Sequence, residues 1–181
     1  MTATATDAIG GVIEDVIAAI DSPWRVPATG APADQFGPPP ETGDCKDRLE
    51  RTRKAIRPAQ RKLYAAKQFS VLLVFQALDA AGKDGVIREV FEELDPVNVN
   101  VSAFKRPTER ELRHDFLWRT SQALPERGEI AVFNRSYYEE VLAVRVHPEV
   151  LTAQYAGAAP DPAALWPARY RAIREHERHL A

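Results

Sequence analysis

Cysteine is nearly missing from this chain. Cys45 stands alone among 181 residues, so no intramolecular disulfide can form and no thiolate cluster can hold a metal. That composition fits a reducing compartment, and the cytoplasm is the expected location. The stretch MTATATDAIGGVIEDVIAAIDSPW carries no basic n-region, and Glu14, Asp15 and Asp21 interrupt its apolar positions. Neither a signal peptide nor a membrane span is expected from it, and hence no membrane partner. Charge of one sign is not in excess either: the formal net charge is −2, which argues against a protein that coats nucleic acid. There is no internal repeat. No NKxD guanine-reading motif occurs, so a GTPase is not expected.

What is present begins with a hydrophobic fraction of 45%, enough for a substantial core in one domain with a terminal extension. Residues 1–45 read as the extension and 46–181 as the core. Ile9, Val12, Ile13, Val16, Ile17 and Ile20 recur at helical spacing. They predict a short amphipathic helix docked on this domain or on a partner subunit, as in a homo-oligomer. PWRVPATGAPADQFGPPPET, 23–42, is rich in Pro and Gly and reads as an extended connector. Residues 46–67 place Leu49, Ile56 and Leu63 on one helical face, with Arg48, Arg51, Arg53, Lys54, Arg57, Arg61 and Lys62 on the others. Pro58 predicts a kink in that basic helix.

Strands and helices then alternate. FSVLLVF, 69–75, is an apolar strand, and Val86, Ile87, Val90, Phe91 and Leu94 share one face of a helix over 82–94. Asp95-Pro96 ends that helix, and VNVNVSAF, 97–104, alternates as a second strand. Thr108 and Glu111 have capping-box spacing and open a helix through Leu112, Phe116 and Leu117 that stops before Pro125. GEIAVFN, 128–134, reads as a third strand, and Ser136 with Glu139 repeats the capping-box spacing where the next helix begins. QYAGAAPDP is a loop, and ALWPARYRAIREHERHLA a final helix. This is the pattern of an α/β fold with a parallel sheet and flanking crossover helices, whose ligands sit at the carboxyl ends of the strands.

Between the first strand and its helix lies QALDAAGKDG, a small-residue turn carrying Lys83. Backbone N–H groups of such a turn, the positive end of the following helix and the lysine charge together hold phosphate. Residues Ala77 to Asp84 align with the phosphate-loop pattern GxxxxGK[ST], Ala77 replacing the first glycine and Asp84 the hydroxyl residue. The expected cradle comprises Ala80, Ala81, Gly82, Lys83, Asp84 and Gly85. The third strand ends in Asn134, which offers a metal only a neutral oxygen, so Mg²⁺ is expected on Asp79, with Asp84 and Glu139 as further carboxylates. Other readings stay open: Asp79 as a turn residue, Asp84 as a helix N-terminal charge, Glu139 as a cap. Arg135 would stabilise a transferring phosphoryl group, or else pair with Glu139 or Glu140 on the surface. Lys105, Arg106, Arg113, His114 and Arg119 form a second basic set. Facing the loop it would extend an anion track, and otherwise it is a solvated face.

The motifs LDAAGKDGVIREV, SAFKRPTERELRHDFLWR and FNRSYYEEVLAVRVH, all within residues 63–147, resemble the family-2 polyphosphate kinases, the polyphosphate:nucleotide phosphotransferases. With Asn134 in place of aspartate, the chain is most similar to the branch that phosphorylates AMP and ADP. The resemblance implies a thymidylate-kinase-like P-loop fold in three α/β/α layers. It implies reversible, Mg²⁺-dependent transfer between inorganic polyphosphate and a nucleotide, with AMP, ADP or ATP as partners. Asp79, Lys83 and Arg135 then carry the chemistry, with Asp84 beside the first phosphate motif and Glu139 in the second. The basic helix 46–67 and the set from Lys105 to Arg119 become walls of a polyphosphate channel. Ala77, Ser121 and Tyr137 depart from the family pattern, which tends to glycine at the first position and histidine at the other two. Family members also continue into an arginine-bearing lid and further strands. The expectation is therefore a core incomplete at its C-terminus, with strand 69–75 short of one neighbour and transferase turnover impaired. Two other readings compete: an ATP-dependent nucleoside monophosphate kinase, and a non-catalytic remnant that binds polyphosphate or nucleotide. Nucleic acid is not an expected partner, because the phosphate loop would then have no role.

Overall fold

The computed structural model describes residues 42–77, 81–155 and 160–181. The expected N-terminal helix and the Pro/Gly connector up to residue 41 lie outside the described residues, as do Asp79 and Ala80. Helix α1 spans Thr42–Ala66 and contains Pro58 within its length. It ends in Lys67, which takes a left-handed φ of 48°, and strand β1 (Val71–Phe75) follows. Helix α2 (Lys83–Phe91) leads to a 3-10 turn at Pro96–Asn98 and strand β2, Val99–Ala103. Two single-turn helices, α3 (Glu109–Leu112) and α4 (Trp118–Ser121), precede strand β3, Ile130–Asn134. After β3 come a 3-10 turn at Tyr137–Glu140, then α5 (Ala143–Val146), α6 (Pro148–Gln154) and α7 (Pro162–Leu180).

The three strands form one parallel sheet in the order β1-β3-β2. β3 is the middle strand, and its residues Ile130 to Phe133 are all buried. Alternation sends its side chains to two cores. Ile130 and Val132 pack with Leu63 of α1 and Ile87 of α2, while Ala131 and Phe133 pack with Phe104, Ala123 and Leu124 on the other face. Helices α1 and α2 thus cover one face of the parallel sheet, and residues of the segment between β2 and β3 cover the other, in an α/β fold with flanking helices. β1 has β3 as its one neighbour among the described residues, and its five residues are only partly buried. Beyond the sheet, Ile173 of α7 packs on Tyr137 and Val141, and Leu165 on Val144 and Leu151.

Two expectations shift. Residues 97–104 do not begin as a strand: Pro96 starts a 3-10 turn, with the Asp95 side chain accepting from the Val97 N–H at 3.1 Å. That turn is tied to α1 by buried Gln60, whose amide donates to Asn98 Oδ1 at 2.7 Å and to the Asp95 carbonyl at 2.8 Å. The helix from Thr108 also breaks. Its capping box forms as expected, but Asp115 Oδ1 accepts from the Leu117 N–H at 2.9 Å, a local alternative to helical bonding that starts a new turn.

Candidate phosphate site

The register of the sheet builds the site. Phe75 of β1, Asn134 of β3 and Ala103 of β2 stand level at the carboxyl edge. From β1 the chain passes through Gln76 and Ala77 into the loop, and α2 opens after Gly82, whose φ of 81° is left-handed. That conformation suits glycine, which has no Cβ to clash. Ala77 is not among the residues with positive φ, so its methyl group is tolerated where the loop pattern has glycine.

Lys83 reaches across this edge. Its Nζ donates to Asn134 Oδ1 and contacts Asp84 Oδ1 at 3.2 Å, while Asn134 Nδ2 donates to the same Asp84 oxygen at 2.6 Å. The Lys83 side chain is 12% exposed and that of Asp84 82% exposed, so a partly sheltered ammonium faces an open carboxylate. The hydrogen bond from Asn134, and then that from Lys83, hold the Asp84 carboxyl below the usual carboxylate range. Ala81 and Gly82 are exposed beside them, and Gly85 lies in the first turn of α2.

Arg135 follows directly, with a left-handed φ of 65° and its N–H bonded to the Phe75 carbonyl at 3.0 Å. An arginine held in that region is strained, and strain of this kind collects at functional sites. Its guanidinium lies 3.8 Å from the Glu139 carboxylate. Glu139 does not close a capping box. Ser136 Oγ accepts from the Tyr138 N–H at 3.1 Å, while Glu139 Oε1 accepts from Gln76 Nε2 at 2.6 Å. The cap reading of Glu139 therefore gives way to a contact with the end of β1. Gln76 is a site residue that sequence reasoning missed, although a polar residue closing the run VLLVF was a visible signal.

The second basic set divides. Lys105, Arg106, Arg113 and His114 are exposed, His114 stacking on Trp118 at 4.0 Å. Arg119 stands apart from the expected track: it is buried at 8% exposure, donates to the Lys105 carbonyl at 2.8 Å and packs over Phe104. The buried apolar surface around it, not a solvated face, decides its direction. The basic helix also spends charge internally, since Arg53 of α1 pairs with Glu89, Glu92 and Glu93 of α2 and the residues after it. Among the described residues, no three His, Cys, Asp or Glu side chains come together as a metal-holding group. No described helix is long and apolar enough to cross a membrane.

A parallel sheet whose first strand runs into a lysine-bearing turn and a helix, with the middle strand ending beside that lysine, defines a P-loop-like α/β protein. The sequence profile described as Polyphosphate kinase 2 matches residues 41–180, and the chain belongs to that family. It is 55% identical over 125 residues to a Rhodopseudomonas palustris protein named ADP-polyphosphate phosphotransferase, a match spanning 67% of this chain and 42% of that protein. An AMP/ADP-polyphosphate phosphotransferase of Meiothermus ruber is 48% identical over 128 residues, 71% of this chain and 44% of that protein. The chain thus spans less than half the length of these curated relatives. The crystal structure of Polyphosphate Kinase 2 from Arthrobacter aurescens TC1 superposes with a TM-score of 0.72 at 34% identity, covering 87% of this chain and 54% of that one.

Proposed function

We propose that the site takes part in Mg²⁺-dependent phosphoryl transfer between inorganic polyphosphate and a nucleoside mono- or diphosphate, in the cytoplasm. The observation that carries this reading is the meeting of Lys83, Asp84 and Asn134 at the carboxyl edge of the sheet, beside strained Arg135. The names of the two curated relatives support ADP, or AMP and ADP, as acceptors.

The donor set suits a hard cation. Asp84 and Glu139 present carboxylate oxygens, the ligand type Mg²⁺ prefers; one Glu139 oxygen is bonded by Gln76 and the other lies 3.8 Å from Arg135. Asp84 and Glu139, with Asp79 from the loop, would hold the ion. When bound it neutralises phosphate oxygens. Lys83 and Arg135 supply fixed positive charge to a group whose transfer depends on positioning and charge neutralisation, without a covalent protein intermediate. Lys105, Arg106, Arg113 and His114 offer an exposed basic surface to a polyphosphate chain.

Calorimetric titration of the purified chain with polyphosphate and with ADP, each with and without Mg²⁺, tests the reading, alongside a coupled ATP-formation assay. A charge-assisted hydrogen bond contributes about 1.5–3 kcal/mol, so Lys83→Ala should weaken polyphosphate binding roughly 10- to 100-fold. Binding that ignores both Mg²⁺ and Lys83→Ala would sink the proposal.

A further inference from the structure

Glu139 and Glu140 are consecutive residues of the 3-10 turn, and they leave it toward different partners. Glu139 bonds Gln76 at the end of β1. Glu140, 2% exposed, forms the floor of a separate cavity of about 160 Å³. Arg169 of α7 donates to the Glu140 carbonyl at 2.7 Å and to Glu140 Oε2 at 3.3 Å, and Gln154 Nε2 donates to Oε2 at 2.6 Å. Arg169 Nη2 in turn donates to Gln154 Oε1 at 2.6 Å. One oxygen of Glu140 is thus fully engaged. The other, Oε1, meets only Arg119 Nη2 among the described residues, at 3.8 Å, beyond hydrogen-bond distance. An acceptor and a donor thus stand side by side at the cavity wall, too far apart to bond each other, and Arg119 Nε beside them is buried without a partner among the described residues.

We infer that this cavity receives the edge of a nucleobase, a flat ring system that presents a donor next to an acceptor. Glu140 Oε1 would accept the base N–H and Arg119 Nη2 would donate to the adjacent lone pair. His114, Phe116 and Tyr155 line the same cavity and supply the aromatic surface on which a base stacks. An oxyanion fits less well. Glu111, Asp115 and Glu140 put three carboxylates around two guanidiniums, and hydrogen bonding to the Thr108 backbone N–H holds the Glu111 carboxyl below its usual range. The inference rests on the phosphoryl-transfer reading only in supplying the base of a nucleotide whose phosphates lie at the loop.

Titration with adenosine, guanosine, cytidine and ribose 5-phosphate, followed by the aromatic NMR signals of the chain, tests it. The bases should perturb signals of Phe116 and Tyr155, while ribose 5-phosphate should leave them in place. Leu112→Trp, which fills the cavity from its wall, and the near-isosteric Glu140→Gln should each weaken nucleoside binding at least tenfold, whereas Arg178→Ala, on the exposed end of α7, should leave it unchanged. Nucleoside binding untouched by both cavity variants, a response to ribose 5-phosphate alone, or no response to any nucleoside would overturn the inference. The last outcome with intact polyphosphate binding condemns the base site alone. Nucleoside binding with no Lys83-dependent polyphosphate binding condemns the transfer reading instead.

Discussion

Removing one carboxylate from α7 should loosen the turn that carries Glu139 and Glu140. Glu177 Oε1 accepts from two phenols, Tyr137 at 2.9 Å and Tyr138 at 2.7 Å. Tyr137 is 1% exposed, so Glu177→Ala strands its hydroxyl away from water at a cost of about 1–3 kcal/mol. Tyr138 is partly exposed and can turn to solvent, adding about 1 kcal/mol. The sum, about 2–4 kcal/mol, is a large fraction of the stability of a small domain. Tyr137→Phe removes the buried donor together with its need for a partner and should cost about 1 kcal/mol. In a double-mutant cycle the two changes should couple, because Tyr137→Phe abolishes most of the penalty that Glu177→Ala creates. Urea unfolding followed by circular dichroism provides the four free energies. A loss below about 0.5 kcal/mol for Glu177→Ala, or strict additivity in the cycle, would refute this account of how α7 is fastened.

Two further outcomes follow from local geometry. Gly82 has a left-handed φ, and no described residue lies within 4 Å of where a Cβ would stand, whereas at Gly128, φ 96°, a Cβ would lie 3.2 Å from the Tyr64 carbonyl oxygen. Gly82→Ala should therefore cost only the backbone penalty of about 1–2 kcal/mol, and Gly128→Ala distinctly more; equal urea midpoints for the two would contradict the crowding at Gly128. At high pH, burial and then the bond to Glu177 push the Tyr138 phenol up to about 12, and the same causes raise Tyr137. The folded chain keeps protons that the unfolded chain releases near pH 10, so this contribution is complete below pH 10 and fades as pH climbs toward 12. The alkaline decline in urea midpoint should be shallower in Tyr138→Phe than in the parent, and an identical decline would remove Tyr138 from it.

The elements that local pattern dictates were readable. β3 is an apolar run closed by Asn134, the loop follows a run closed by Phe75, and the strand-end rule brings Lys83 and Asn134 to one edge, where they bond. The Thr108–Glu111 box was equally local. What could not be read depends on partners far along the chain. Gln76 meets Glu139 across 63 residues and Arg169 meets Glu140 across 29, and neither separation has a sequence period. Arg119 looked like its exposed basic neighbours because composition does not reveal which side of a one-turn helix meets Phe104. The helix expected over 108–124 broke because Asp115 could bond the Leu117 N–H just as cheaply as the helix could.

The four side chains of the Tyr137–Glu140 turn fasten three separate parts of the molecule: α7 through two phenols, the end of β1 through Glu139, and α6 with α7 through Glu140. All three attachments therefore hang on one four-residue piece of backbone, so a variant that melts this turn should release them together.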